Sequence, residues 1–302
     1  ELGSLLVPNF CGGSSVAGLD ENSNVYKTLT AKGVSPQQAE QFVQRMPLYW
    51  GSEPFVQGPA YLGAIVIFLF FFGLFAYKGN LKGWLIGCIV FTVLIALGKN
   101  FEVFYRLLYN IVPGFNKFRA PTMILALTQI LMVILGVLGL KDFFDDKISD
   151  KIDRLKTLKL SGGIVGGILV LFIVMSSVLS FQSKADSNGK STDESFKEQL
   201  TQMTGDATFS NNIYSSLLQD RASAMRSDAM RSLLLVALAA GLLFAFATNK
   251  VKYPSYITLA LSLIILIDFW MIDKRYLNDT DFEDSASLVS NSFPETPADA
   301  AI

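Results

Sequence analysis

The chain has 302 residues, a net charge of -1, no His and two Cys. The charge balance excludes a basic nucleic-acid-binding surface, and the lack of His excludes imidazole ligands and Ser-His or Cys-His catalysis. Hydrophobic residues make up 51% and charged residues only 17%, with a mean hydropathy of +0.41, against about a quarter charged in a soluble domain.

This is the composition of a chain that has lipid for part of its solvent. Residues 1–57 are polar, begin in a loop without an initiator Met, and read as the start of an internal fragment. Ser35–Arg45 suggests a short surface helix, capped by Ser35 with Pro36 in its first turn. The first apolar run, Gly58–Tyr77, is long enough as a helix, about 30 Å, to cross a hydrocarbon core. Tyr61 and Tyr77 lie at its ends, where interfacial aromatics belong. A tight polar turn, 78–82, leads to a second run, Gly83–Gly98, with Lys82 and Lys99 able to snorkel from its ends.

Phe101–Val112 differs from both runs. Phe101, Phe104, Leu108, Ile111 and Val112 share one helical face, and Glu102, Arg106 and Asn110 lie towards the other. The pattern predicts a helix lying in the interface. The third span is Ala120–Leu140, followed by a charged cytoplasmic linker over 141–160. The fourth span, 161–181, begins GGIVGG, which reads either as a small-residue packing face or as a flexible helix start. Residues 182–231 form an extracytoplasmic segment whose second half is helical and runs on into the fifth span. The fifth and sixth spans fill 232–272, and an acidic, Ser/Pro-rich extracytoplasmic tail occupies 273–302.

The expectation is therefore an all-α polytopic protein with about six transmembrane helices and one interfacial helix. Loops 78–82, 141–160 and 249–254 hold two, six and two Lys/Arg, a far higher basic density than elsewhere. The positive-inside rule then places these loops in the cytoplasm and both ends outside. Cys11 lies in a polar segment and Cys88 in an apolar run, so no disulfide is expected, and two cysteines cannot build a structural zinc site.

Four groups of residues carry potential chemistry. Lys99, Arg106, Lys117 and Arg119, with Asn100 beside them and Glu102 as the one acid, lie at the outer membrane surface, where the inside bias does not explain cations. They suit the phosphate of a lipid-linked substrate, or alternatively lipid head groups. Asp268 is an acid inside a span, either functional or paired with Arg231 or Arg275. Arg221–Arg231 reads as a solvated amphipathic helix with an Asp228–Arg231 pair. The glycines of Pro8–Gly13, with Tyr49, Trp50 and Gly51, read as a binding platform or as turns on the membrane surface.

Six stretches, SLLVPNFCGGSS (4–15), LYWGSEPFVQGPAYLGA (48–64), GKNFEVFY (98–105), GFNKFRAPTM (114–123), RASAMRSDAMRSL (221–233) and DFWMIDKRYLNDTDF (268–282), occur in order along the chain. Together they resemble the YfhO family of bacterial membrane proteins, which looks like the GT-C type of glycosyltransferases. The resemblance implies a larger inner-membrane protein, of which this chain is less than half. It implies transfer of a sugar from a polyprenyl-phosphate carrier to a cell-envelope acceptor. The family's catalytic acid sits in a first outer loop, which would lie upstream of Glu1, so no catalytic residue is assigned. Lys99, Asn100, Lys117 and Arg119 are the substrate-binding choices, with Asp268 and Arg231; the partners implied are membrane lipids and a polyprenyl-phosphate-linked sugar. The rival expectation is a transporter, lipid flippase or envelope-assembly scaffold without covalent chemistry.

Overall fold

The computed structural model describes residues 2–53, 55–117, 120–145, 151–184, 191–278, 282, 284 and 285. All regular structure among the described residues is helical. The helices are α1 (Asn24–Ala31), α2 (Pro36–Val43), α3 (Ala64–Ala76), α4 (Leu81–Ala96), α5 (Glu102–Ile111), α6 (Leu125–Phe144), α7 (Lys151–Met175), α8 (Thr192–Thr204), α9 (Ala207–Ala247) and α10 (Pro254–Tyr276). Four of them, α6, α7, α9 and α10, are long and apolar enough to cross a membrane.

Polar helix starts are set by side-chain caps. Ser35 accepts from Gln38 N at the head of α2, with Pro36 in its first turn, as expected. Ser191 and Glu194 form a reciprocal capping box on α8. Asp206 accepts from Thr208 N and Phe209 N, which starts α9 immediately after α8.

Apart from a cluster of Phe70, Tyr77, Ile89 and Leu135 where α4 meets α3 and α6, the described residues build two cores. The larger lies between the apolar helices, around Phe68, Phe72, Val165, Leu169, Val236 and Leu243. A smaller one unites Val25, Leu29, Ala39, Val43 and Met46 with Leu200, Ile213 and Leu217. By sequence pattern alone, residues 1–57 and 182–231 are separate outer segments. Their apolar residues instead pack on one another, so α1, α2, α8 and the first half of α9 form a single cap. Helix α9 is continuous for 41 residues from this cap into the bundle.

Two expectations need correction. The first apolar run is not a 20-residue helix. Gly58, Pro59 and Gly63 keep its first residues extended, and Gly63 has a φ of +94° that favours glycine. Helix α3 therefore has 13 residues, about 20 Å, and is surrounded by other helices rather than lipid. The second correction concerns close packing. A Cβ on Gly163 or Gly167 would meet nothing, and one on Gly162 or Gly166 would reach only ordinary contacts, at 4.0 and 3.9 Å. The close approach lies between α3 and α6, where a Cβ on Gly139 would stand 2.5 Å from the Cα of Gly73. One on Gly73 would strike the carbonyl of Leu135.

Helices α3 and α6 run in the same direction, with Leu69 against Gly136 and Gly73 against Gly139. At their far end Lys78 N donates to Asp142 at 3.1 Å, and Phe143 and Phe144 pack on Phe246 of α9. Helix α4 joins α6 through a buried Thr128–Thr92 hydrogen bond of 2.9 Å. Helix α5 has ten residues and none is buried. At about 15 Å it is too short to cross a bilayer. Its exposed Glu102–Arg106 pair is of the kind that adds about 0–1 kcal/mol.

Replacing Gly139 with Leu is expected to force α3 and α6 apart and lower stability by about 1–3 kcal/mol. Gly163→Leu, facing open space, is expected to leave the melting temperature of the detergent-solubilised protein within about a degree or two. Equal melting temperatures for the two variants would contradict this packing.

Candidate functional site

The segment Asp220–Ser232 of α9 carries a series of polar residues, and its charged members each take a different partner. Asp220 accepts from Asn24 N, Asn24 Nδ2 and Val25 N at 2.7, 2.8 and 3.0 Å, at the N-terminus of α1. Arg221 is 1% exposed. Its Nη1 and Nη2 donate to the two Asp193 oxygens at 2.8 and 2.9 Å. The same guanidinium donates to the carbonyls of Phe181, Pro47 and Leu48 at 2.8, 2.7 and 3.1 Å. The expectation of a solvated amphipathic helix fails here. The helix is enclosed by the cap on one face, and Arg221 is buried because carbonyls and a carboxylate replace its water.

Burial by itself pushes the Asp193 carboxyl up. The Arg221 hydrogen bonds and charge, with the Ser183 N–H, outweigh burial and hold it below its ordinary value.

One turn or two further on, the partners belong to the bundle. Arg226 donates to the hydroxyls of Ser176 and Ser177 at the end of α7, at 3.0 and 2.8 Å. Asp228 receives Arg275 of α10 in a two-pronged pair of 3.0 and 2.9 Å, and the backbone N–H of Asn9 at 3.0 Å. Arg231 donates to Asp268 at 2.8 Å, and the Tyr61 hydroxyl donates to the other Asp268 oxygen at 2.8 Å. That hydroxyl accepts from Ala64 N at 3.0 Å, at the first turn of α3. Arg231 Nε lies 3.8 Å from Asp228, an ion-pair contact too long for a hydrogen bond.

Asp268 is 1% exposed and both its oxygens are taken. Of the two readings of this acid, pairing with Arg231 is the arrangement seen. Arg275 goes to Asp228 instead, and Asp228 links the two pairs.

Two hollows flank this junction. The first is a polar groove of about 730 Å³ between the N-terminal loops, the middle of α9 and the end of α10. Asp220, Ser223, Ala224, Ser227 and Asp228 line it from α9, one helical face at i, i+3, i+4, i+7 and i+8. The second is a more enclosed crevice of about 320 Å³. Its walls are Pro8, Cys11, Tyr49, Glu53 and Gly58–Ala60 on one side, and Ala96, Leu97, Asn100, Ala120 and Leu125 on the other. The Asn9–Gly13 turn separates the two hollows. Pro8, Asn9, Cys11, Gly12, Gly13 and Tyr49 thus serve as walls, while Phe10 packs on Phe172; Trp50 packs edge-on against Phe181 at 5.4 Å, and its backbone N–H donates to Cys11 O.

Of the four outer-surface residues expected to converge, Asn100 lines the crevice. Lys117 is exposed at the end of a 3₁₀ turn and is not part of its wall. Lys99 belongs to the 3₁₀ turn Gly98–Phe101, next to Asn100; its side chain, and Arg119 altogether, lie outside the described residues, as does most of the tail 273–302. Among the described residues no cluster of His, Cys, Asp and Glu is suited to a metal, and no disulfide joins Cys11 and Cys88. Comparison of the chain with protein-family models, curated proteins and solved structures finds no match.

Asp193→Asn is expected to cost about 3–5 kcal/mol, because Arg221 cannot shed its charge. The folded Asp193 pKa is depressed, so its contribution is complete above the ordinary carboxylate value near 4 and disappears as pH falls through the lower folded value. Trp50 fluorescence during acid titration should therefore report loosening of the cap below about pH 4. In Asp193→Asn the cap should already be loosened at neutral pH; a variant as stable as the parent at pH 7 would refute the role given to this pair.

Proposed function

We propose that this chain is the membrane portion of a GT-C-like glycosyltransferase of the bacterial inner membrane. On this reading it crosses the bilayer six times, with α3 and α4 as the two short crossings and the cap outside the cytoplasm. Its substrate is a sugar carried on polyprenyl phosphate, and its acceptor belongs to the cell envelope.

The observation that carries the reading is the 320 Å³ crevice at the outer end of the apolar bundle. Ala96, Leu97 and Leu125 give it an apolar floor continuous with the helices, and Asn100, Tyr49 and Glu53 give it a polar rim. An isoprenoid phosphate has the same two parts, an apolar chain and a polar head. Lys99 and Arg119 adjoin the lining residues Asn100 and Ala120 in sequence. Arg grips two phosphate oxygens at once, whereas Lys acts as a point charge, and a low-dielectric rim strengthens both. Lys117 contributes longer-range attraction. Asp268 and Arg231 act by fixing α3, α9 and α10 beneath the site. The acid that deprotonates the acceptor hydroxyl belongs to the rest of the protein.

The test is binding of polyprenyl monophosphate, with the corresponding polyprenol as control, to the chain in lipid nanodiscs. The phosphate should be preferred, and both Asn100→Leu and Arg119→Lys should reduce that preference about tenfold without changing the melting temperature. Equal binding of phosphate and alcohol by the parent chain would exclude the carrier site and favour a non-enzymatic scaffold. The orientation has its own check. Cysteines placed in 191–220 should react with an impermeant reagent from outside, and those in 151–160 should not.

A further inference from the structure

The 730 Å³ groove has no part in the carrier site, and its chemistry differs from that of the crevice. We propose that it is a second binding site, for an uncharged saccharide chain. The case rests on the groove's own walls and does not require the carrier reading.

Charge comes first. Three carboxylates line the groove, Asp20, Asp220 and Asp228, against one cation, Arg275. That cation is fully engaged by Asp228 through its two-pronged pair. Neither Asp20 nor Asp220 has a cation within ion-pair distance among the described residues. The walls therefore repel phosphates and uronates. The carboxylates do not converge as a metal site either, since no suitable acid cluster is present among the described residues.

The unspent hydrogen-bonding groups come second. Ser223 and Ser227 are exposed, one turn apart, and neither hydroxyl bonds to the helix backbone or any other described group. The side chains of Asn9 and Gln44 and the hydroxyl of Tyr276 are likewise without a hydrogen bond among the described residues. Asp20 is exposed, and its carboxylate bonds only to Asn22 in its own turn. A saccharide presents hydroxyls that both donate and accept, which suits a wall of carboxylates, amides and hydroxyls. The volume is within the usual range for ligand pockets, about 300–1,000 Å³. Apolar lining is confined to small or isolated groups, Ala17, Leu19, Leu48 and Ala224, and offers no deep slot for an acyl chain or a large apolar side chain.

The walls are also rigid. A Cβ on Gly18 would collide with the backbone carbonyl of Gln44, and one on Gly12 with that of Leu48. The two loops therefore lie in direct backbone contact where they line the groove. Fixed walls lower the ordering cost of binding.

The experiment uses the chain in nanodiscs, without carrier lipid, and saturation-transfer NMR with three probes. Cellotriose and chitotriose are the neutral saccharides, and trigalacturonate is the anionic control. At least one neutral trisaccharide should receive saturation and trigalacturonate should not. Ser223→Trp, at an exposed position, should fill the groove and weaken binding about tenfold or more. Asp20→Asn, which keeps its turn, serves as a second variant and should weaken binding and admit trigalacturonate. Asn100→Leu should leave neutral-saccharide binding unchanged, so failure of the groove and failure of the carrier crevice are separable. The proposal is overturned if neither neutral trisaccharide binds, if trigalacturonate binds as well as they do, or if Ser223→Trp and Asp20→Asn both bind like the parent chain.

Discussion

A guanidinium cannot be neutralised at any pH a cell meets, so burying one commits its surroundings to solvate it. Arg221 does this with the carboxylate of Asp193 and the carbonyls of Pro47, Leu48 and Phe181. Those partners come from three places in sequence: the end of the N-terminal segment, the end of α7, and α8. No apolar contact could select this arrangement so specifically, since a hydrophobic surface tolerates sliding and a forked donor does not. The Arg221–Asp193 pair therefore sets the register of the cap on α9. The smaller apolar core packs next to it, through Leu217 and Ile213 in the preceding turns of the same helix.

The same logic repeats down α9 with different partners. Asp220 holds α1, Arg226 holds the end of α7, Asp228 holds α10 and the Asn9 turn, and Arg231 reaches Asp268 and Tyr61. Successive polar residues thus bind successive layers, from the cap down to the first turn of α3. Because α9 is one unbroken helix, the positions of these layers are coupled by its rise. A rigid rod bearing fixed polar contacts transmits the geometry of the bundle to the cap, and both hollows lie along this rod or beside it.

Much of the local structure was legible in the sequence. Ser35 and Pro36 announced α2, the one-sided stripe of 101–112 announced α5, and the periodicity of 206–231 predicted a helix continuous with the next apolar run. The Asp268–Arg231 pair was also within reach, because an acid in an apolar helix demands a cation. What was not legible has a common cause. The cap depends on pairing between residues separated by about 150 to 200 positions, such as Thr28 with Ser216 and Asn24 with Asp220. Local periodicity carries no information about such partners. Arg221 looked solvated for the same reason, since its acceptors are main-chain carbonyls, which every sequence contains. The shortness of α3 had a readable signal in Gly58, Pro59 and Gly63, but the hydropathy of the run masked it. The true packing glycines, Gly73 and Gly139, stand singly, whereas the conspicuous GGIVGG makes no close approach to a neighbouring helix.

The division between the two hollows follows from where α9 leaves the bundle. Its groove-facing stripe, Asp220 through Asp228, lies above the level at which Arg231 closes on Asp268; there Ser223 and Ser227 keep access to water, while Asp220 and Asp228 are buried against their partners. Below that level the same helix face must bury its charge against α10 and Tyr61. On the other side of the Asn9–Gly13 turn the neighbours are Ala96, Leu97 and Leu125, and a hollow there inherits an apolar floor. Gly13 fixes the thickness of the wall, since its φ is +73° and a Cβ would collide with the Tyr276 hydroxyl. One thin turn thus separates a water-facing, acid-lined groove from a crevice rooted in the apolar bundle.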